Sequence, residues 1–170
     1  MSVKNHKQAI TEAIRCMVIT VSDTRDEETD KSGALMMELL KSNGHEVTEY
    51  EIVKDEREAI QEAVKAGCNS NKVDVILTNG GTGIAKRDVT IEAVKELMTK
   101  EIPGFGEVFR MLSYQEDIGS AAILSRAIAG VVKDKAVFST PGSSGAVRLA
   151  MNKLILPELG HVIGELRKDL

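Results

Sequence analysis

The amino-acid sequence predicts an α/β fold in which a mostly parallel sheet carries helices on both faces. Three observations lead there. Short, almost wholly apolar runs rich in β-branched residues fall at 16–21, 73–78 and 136–139, the pattern of strands buried on both sides. Between them lie longer segments whose apolar residues recur at helical spacing. The length of 170 residues suits a single domain, and no internal repeat, low-complexity stretch or linker divides it. The expected division is a polar arm over residues 1–14 and one domain over 15–170.

Taken in order, the first strand, 16–21, ends at Ser22-Asp23. Residues 30–43 place Leu35, Met36, Leu39 and Leu40 on one helical face, with Asp30 as the capping candidate and Gly44 as the stop. Residues 45–53 alternate Val47, Tyr50 and Ile52 with charges and read as an edge strand. Residues 55–67 repeat Ile60, Ala63 and Val64 as a helix would. After the strand at 73–78 a helix over 90–99 presents Ile91, Val94 and Met98. Pro103 and Gly104 are expected to interrupt the chain before a helix over 105–115. Residues 133–135 read as a hairpin turn leading into the strand at 136–139. Two helices close the sequence, one with Val147, Met151, Leu154 and Ile155, the other with Leu159, Val162, Ile163 and Leu166.

Composition excludes several classes of function. Lys and Arg total 22 against 26 Asp and Glu, a net charge of −4 without the basic excess that drives nucleic-acid binding. Aromatic residues make up 3%, and there is no Trp, so few platforms exist for stacking bases. No apolar run approaches the ~18–20 residues that span a bilayer, and the polar N-terminus lacks a signal-peptide core. A cytoplasmic protein is expected. Cys16 and Cys68 stand apart and read as reduced core thiols. His6, His45 and His161 are scattered without metal-ligand spacing.

In open parallel sheets, ligands bind beyond the carboxyl ends of the strands. There the sequence is distinctive. The third strand runs into Thr78-Asn79-Gly80-Gly81-Thr82-Gly83, followed by Arg87-Asp88-Val89-Thr90 at the start of a helix. Glycines here allow positive φ and can turn several N–H groups toward one point, a nest for a phosphate. A plain Asn-Gly turn is the simpler alternative. Neither the G-x-x-x-x-G-K-S/T loop nor G-x-G-x-x-G is met, since Lys86 lacks the glycine before it and itself occupies the third glycine position of the second motif. Asp88 beside such a nest implies an intervening cation, Mg2+. Asp55 points to the same edge, although with Glu58 it also fits a capping box. Thr140-Pro141-Gly142-Ser143-Ser144-Gly145 is a second candidate contact for a phosphate, with hydroxyls at a helix N-terminus; Ser144 fails the G-x-S-x-G pattern and reads as a cap.

These motifs together resemble the molybdopterin-binding family of molybdenum cofactor biosynthesis, with its MoaB branch nearest. The resemblance rests on Ser22-Asp23, Thr78–Gly83, Arg87-Asp88-Val89-Thr90, Ile102-Pro103-Gly104-Phe105, Leu124-Ser125-Arg126-Ala127 and Pro141-Gly142-Ser143. It implies a three-layer α/β/α sandwich and transfer of AMP from ATP, as co-substrate, to molybdopterin. It assigns Asp55 and Asp88 to catalysis and Mg2+, and Thr78, Gly80, Gly81, Thr82 and Gly83 to phosphate. Ser22, Asp23, Arg110, Ser125, Arg126, Pro141, Gly142 and Ser143 would line the pterin and nucleotide pocket. Arg110 also has a structural reading as a partner of Glu107. The family implies a homotrimer or homohexamer, with molybdopterin and ATP as partners and neither nucleic acid nor membrane. One departure stands out: the MogA-like branch continues Pro-Gly-x-Pro, whereas this chain has Pro141-Gly142-Ser143-Ser144. That departure motivates a pterin carrier without catalysis as an alternative; the resemblance also implies a third, a scaffold like the oligomerising domains of animal relatives.

Overall fold

Each apolar run becomes a strand of one sheet. The computed structural model describes residues 12–170. Its strands are β1 (Arg15–Val21), β2 (Glu46–Val53), β3 (Val75–Asn79), β4 (Lys100–Glu101), β5 (Ile128–Val132) and β6 (Lys135–Thr140), in the spatial order β2-β1-β3-β6-β5-β4. β2, β1, β3 and β6 run parallel, whereas β5 and β4 add an antiparallel edge. The expected hairpin joins β5 to β6 through Lys133 and Asp134, with φ of 45° and 58°, as a two-residue type I′ turn requires.

The helices are α1 (Lys31–Ser42), α2 (Arg57–Asn69), α3 (Thr90–Leu97), α4 (Pro103–Glu116), α5 (Ser144–Ala150) and α6 (Leu156–Arg167), with a 3-10 turn at Gly119–Leu124. Strand pleating divides their packing. Cys16 and Val18 of β1 face α1, α4, α5 and α6, where Met36, Leu40, Phe109, Met151, Ile155 and Leu159 are buried. Met17, Ile19 and Val21 face α2 and α3, where Ile60, Val64 and Val94 are buried. The result is the expected three-layer α/β/α sandwich. Of the arm read over 1–14, residues 1–11 lie outside the described residues; Ile14 is buried in the first of these cores.

Three local expectations are corrected. Pro103 does not interrupt a helix but begins one, since the first turn needs no N–H from it and its fixed φ is already helical. The last two helices form one rod, joined by a π segment at Met151–Ile155. Pro157, which cannot donate to the preceding turn, lies directly after that wider turn. The Asp55–Glu58 capping box does not form: the capping position is Glu56, without a side-chain hydrogen bond. Asp30, by contrast, caps α1, accepting from the N–H of Gly33.

Cys16 and Cys68 are buried free thiols, and burial pushes Cys16 up to about 12, so neither is a ready nucleophile. No helix among the described residues is long and apolar enough to cross a membrane.

Candidate functional site

From β1 the chain passes to β2 on one side and then to β3 on the other, so the connections diverge between β1 and β3. In a sheet of this kind that divergence leaves a crevice beyond the strand ends. A pocket of about 400 Å³ opens there. It gathers Ser22 from the end of β1, Asp55 from the end of β2, Gly80, Gly81, Thr82, Gly83 and Asp88 after β3, Pro141 and Gly142 after β6, and Ser125 after the 3-10 turn. Residues up to 120 positions apart in sequence thus meet because four parallel strands end on the same side.

The glycine loop is polarised. Gly80 and Gly81 have φ of 95° and 67°, as the nest requires, whereas Gly83 does not need a positive φ. Every carbonyl from 80 to 83 is engaged on the protein side. Thr90 Oγ1 donates to Gly80 O and Thr90 N–H to Gly81 O. Arg126 donates from Nε to Thr82 O at 2.9 Å and from Nη2 to Gly83 O at 2.7 Å. The Gly80 N–H is spent on Thr140 O. Among the described residues the N–H groups of Gly81, Thr82 and Gly83 have no hydrogen-bond partner. With four carbonyls bound and three amides open, the loop has the polarity that can receive an anion.

Arg126 therefore acts as a brace. Its guanidinium is itself held by Glu92. Arg126→Ala should free the Thr82 and Gly83 carbonyls, lowering phosphate affinity about tenfold, as expected for losing charge-assisted bonds that hold a nest in shape. Titration with inorganic phosphate compounds, beside a thermal melt, checks this; unchanged affinity would remove the brace from the argument.

The two carboxylates abut the same loop. Building a Cβ on Gly81 would bring it 2.9 Å from Asp55 Oδ1, and one on Gly83 would lie 2.5 Å from Asp88 Oδ2. Asp88 Oδ2 also accepts from Ala85 N–H at 3.0 Å, which closes the turn before α3. Burial, together with the neighbouring charges of Asp23 and Asp88, raises the Asp55 carboxyl above the ordinary carboxylate range. Asp23 is held low by its hydrogen bond to Arg87, at 2.6 Å to Nε. The Asp55 N–H donates to Asp23 Oδ1, tying β1 and β2 ends together.

The sign of the Asp55 effect is testable. A carboxyl whose folded pKa exceeds its unfolded value contributes stability below the unfolded value, near ~4, and loses it as pH rises through the folded one. At neutral pH its charge is therefore a net cost to the ligand-free fold. Asp55→Asn should raise the Tm at pH 7 and flatten the stability profile just above pH ~4. A lower Tm at pH 7 would refute that reading.

A family model described as "Probable molybdopterin binding domain" matches residues 17–161, nearly all of the crevice-forming chain. The chain belongs to this molybdopterin-binding family. Molybdenum cofactor biosynthesis protein B of Bacillus subtilis (strain 168) is 66% identical over 169 residues, covering 99% of both chains. A crystal structure of a molybdenum cofactor biosynthesis protein B superposes with TM-score 0.91 at 69% identity, covering 92% of this chain and 98% of that one. The tungsten cofactor synthesizing protein MoaB from Pyrococcus furiosus gives TM-score 0.78 at 40% identity, covering 94% and 100% respectively.

Within this family member, not every residue expected at the pocket lines it. Thr78 lies buried beneath the loop, donating from Oγ1 to Ser139 Oγ at 2.8 Å. Ser143, not Ser144, caps α5, accepting from Ala146 N–H at 3.2 Å. Asp23 sits on the outer side of the segment after β1 with Arg87, and Arg126 stands behind the glycine loop. Arg110 packs against Gly106 of its own helix rather than the crevice wall. Conversely, Val21, Thr24, Arg25 and Leu124 line the pocket unannounced. Arg25 and Thr24 follow β1 directly, so a wider application of the strand-end rule would have reached them.

Proposed function

We propose that this protein adenylylates molybdopterin: the pterin's terminal phosphate attacks the α-phosphorus of ATP, and pyrophosphate leaves. One new P–O bond forms from a phosphate oxygen, and the bond between the α-phosphorus and its bridging oxygen breaks, the electron pair departing with pyrophosphate. The observation that carries this reading is the glycine loop, with all four carbonyls bound behind it and three amides open beside two carboxylates. A phosphate monoester is largely dianionic at pH 7, so the nucleophile needs no protein base. The described residues offer no histidine in the pocket, which suits a reaction run by alignment and charge neutralisation.

Asp55 and Asp88 fit Mg2+. Their oxygen donors are hard, and burial and crowding by like charges raise Asp55, a cost that a cation offsets. Among the described residues no three His, Cys, Asp or Glu side chains form a complete metal cage. Two carboxylates with substrate phosphates completing the sphere is the usual arrangement for Mg2+. When bound there, Mg2+ supplies neutralisation of the triphosphate charge. The open amides of Gly81, Thr82 and Gly83 hold a phosphate, and Ser22 and Ser125 contribute hydroxyls at the rim.

Incubating the purified protein with molybdopterin, ATP and Mg2+ should give the adenylylated pterin by mass spectrometry, and product should vanish without Mg2+. The Ser143-Ser144 departure favours a second reading, a carrier that binds the pterin without catalysis. Tight pterin binding with no product, and indifference to ATP, would establish that alternative.

We also propose a homo-oligomer, trimer or hexamer. Val108, Met111, Tyr114 and Ile118 on and just after α4 are exposed, as are Ile123 and Leu124 in the 3-10 turn, an apolar surface of the kind that subunit contacts cover.

A further inference from the structure

Beneath the pocket lies a buried polar cluster that the reading above does not use. The Asp30 side chain is fully buried. It accepts from Thr20 Oγ1 at 2.7 Å, Tyr50 OH at 2.5 Å and the Gly33 N–H at 3.0 Å. Ser32 Oγ donates to Asn79 Oδ1 at 2.7 Å, and Asn79 Nδ2 donates back to Thr20 Oγ1 at 3.0 Å. This network joins β1, β2, β3 and the start of α1, immediately below the loops that form the crevice. Burial, together with the Asp30 partnership, raises the Tyr50 phenol, so it stays a donor.

Among the described residues, Arg25 is the pocket residue hydrogen-bonded to that network. Its Nη1 donates to Ser32 Oγ at 2.5 Å and its Nη2 to Gly142 O at 3.0 Å. Asp30 Oδ1 lies 3.7 Å away, close enough to attract the guanidinium but beyond hydrogen-bond reach. Two of the five N–H donors of a guanidinium are thereby spent on fixing its plane. Arg25 also lines the pocket that contains the open amides of the glycine loop.

We infer that Arg25 is a phosphate-binding residue of the crevice, and that Asp30 and Ser32 are positioning residues that act through it. A planar guanidinium is suited to bidentate contact with phosphate oxygens, and a fork held from behind loses less rotamer entropy on binding than a free one. The ligand class is a polyphosphate or phosphate ester. This inference rests on the proposed function's reading of the crevice as a phosphate site, and it adds the cation that the amide nest lacks.

The test titrates the full chain with inorganic tripolyphosphate and Mg2+ by calorimetry. Arg25→Ala should weaken binding about tenfold or more, with Arg25→Lys recovering part of the loss. Asp30→Asn and Ser32→Ala should each weaken binding in the wild-type background and have no further effect in the Arg25→Ala background. A double-mutant cycle reports that coupling, and a merely structural role would not produce it. If Asp30→Asn does not fold, Ser32→Ala carries the cycle, since it removes one hydroxyl. Wild-type affinity in Arg25→Ala, additive losses in the cycle, or no binding by the wild type would each overturn the inference. Adenylylated product with undiminished Arg25→Ala binding refutes Arg25 alone. Binding through Arg25 without any product refutes the reaction and leaves Arg25 in place.

Discussion

Gly80→Ala is expected to destabilise the protein by about 3–5 kcal/mol, a Tm loss of about 10 °C for a chain of this size. Two causes add. At a φ of 95° any L side chain is strained, a cost of about 1–2 kcal/mol. The new methyl would also lie 2.3 Å from Val21 O, a backbone atom of β1, while Gly142 closes the other side with the Gly80 Cα only 3.0 Å from its own Cβ position. Neither neighbour can retreat, since Val21 pairs with Val53 in the sheet and Gly142 O is held by Arg25. Gly44 is the internal control: its φ is 83°, yet nothing lies within 4 Å of an added Cβ. Gly44→Ala should cost about 1 kcal/mol, the backbone part alone. Denaturant unfolding of both variants separates the terms, and equal losses would show that the close approach of the loops is unimportant.

That pair of glycines also marks what the sequence could and could not disclose. Helical spacing and strand runs placed the elements, because burial on both sheet faces leaves a pattern in residue type. The Gly80-Gly81 loop and Asp88 were legible too, since strand-end position and glycine density are local signals. What failed was any reading that depended on a partner distant in sequence. The local capping-box reading of Asp55 with Glu58 also failed, since the cap falls at Glu56, whereas the strand-end reading of Asp55 agrees with its place in the crevice lining. Arg126 reads as a pocket cation, but its donors are taken by the carbonyls of a loop more than 40 positions earlier and by Glu92. The strand-end rule could have reached Arg25 as a pocket residue but not its wiring to Ser32, Asp30 and Gly142, a network assembled by packing rather than by motif. Pro103 misled because proline ends helices in general but begins them equally well.

Asp88→Asn should lower kcat for adenylyl transfer about 100-fold or more while leaving pterin affinity within about twofold. The substitution separates the role the structure shows for this side chain from the role we propose for it. One is local: an asparagine oxygen can still accept from the Ala85 N–H, so the turn before α3 survives and the Tm should hardly move. The other is electrostatic, and an amide carries no charge with which to hold Mg2+ against a triphosphate. Asp55→Asn should share the kinetic loss but raise the Tm at pH 7, because burial and like charges make Asp55 costly in the ligand-free fold. Two acidic positions with the same kinetic consequence and different stability consequences are the mark of a site that stores repulsion for a cation to relieve. Kinetics across a Mg2+ titration, read beside melts of both variants, test the pair. Full turnover in Asp88→Asn, or an activity loss that merely tracks a fall in Tm, would reduce Asp88 to a turn residue and take the metal away from this crevice.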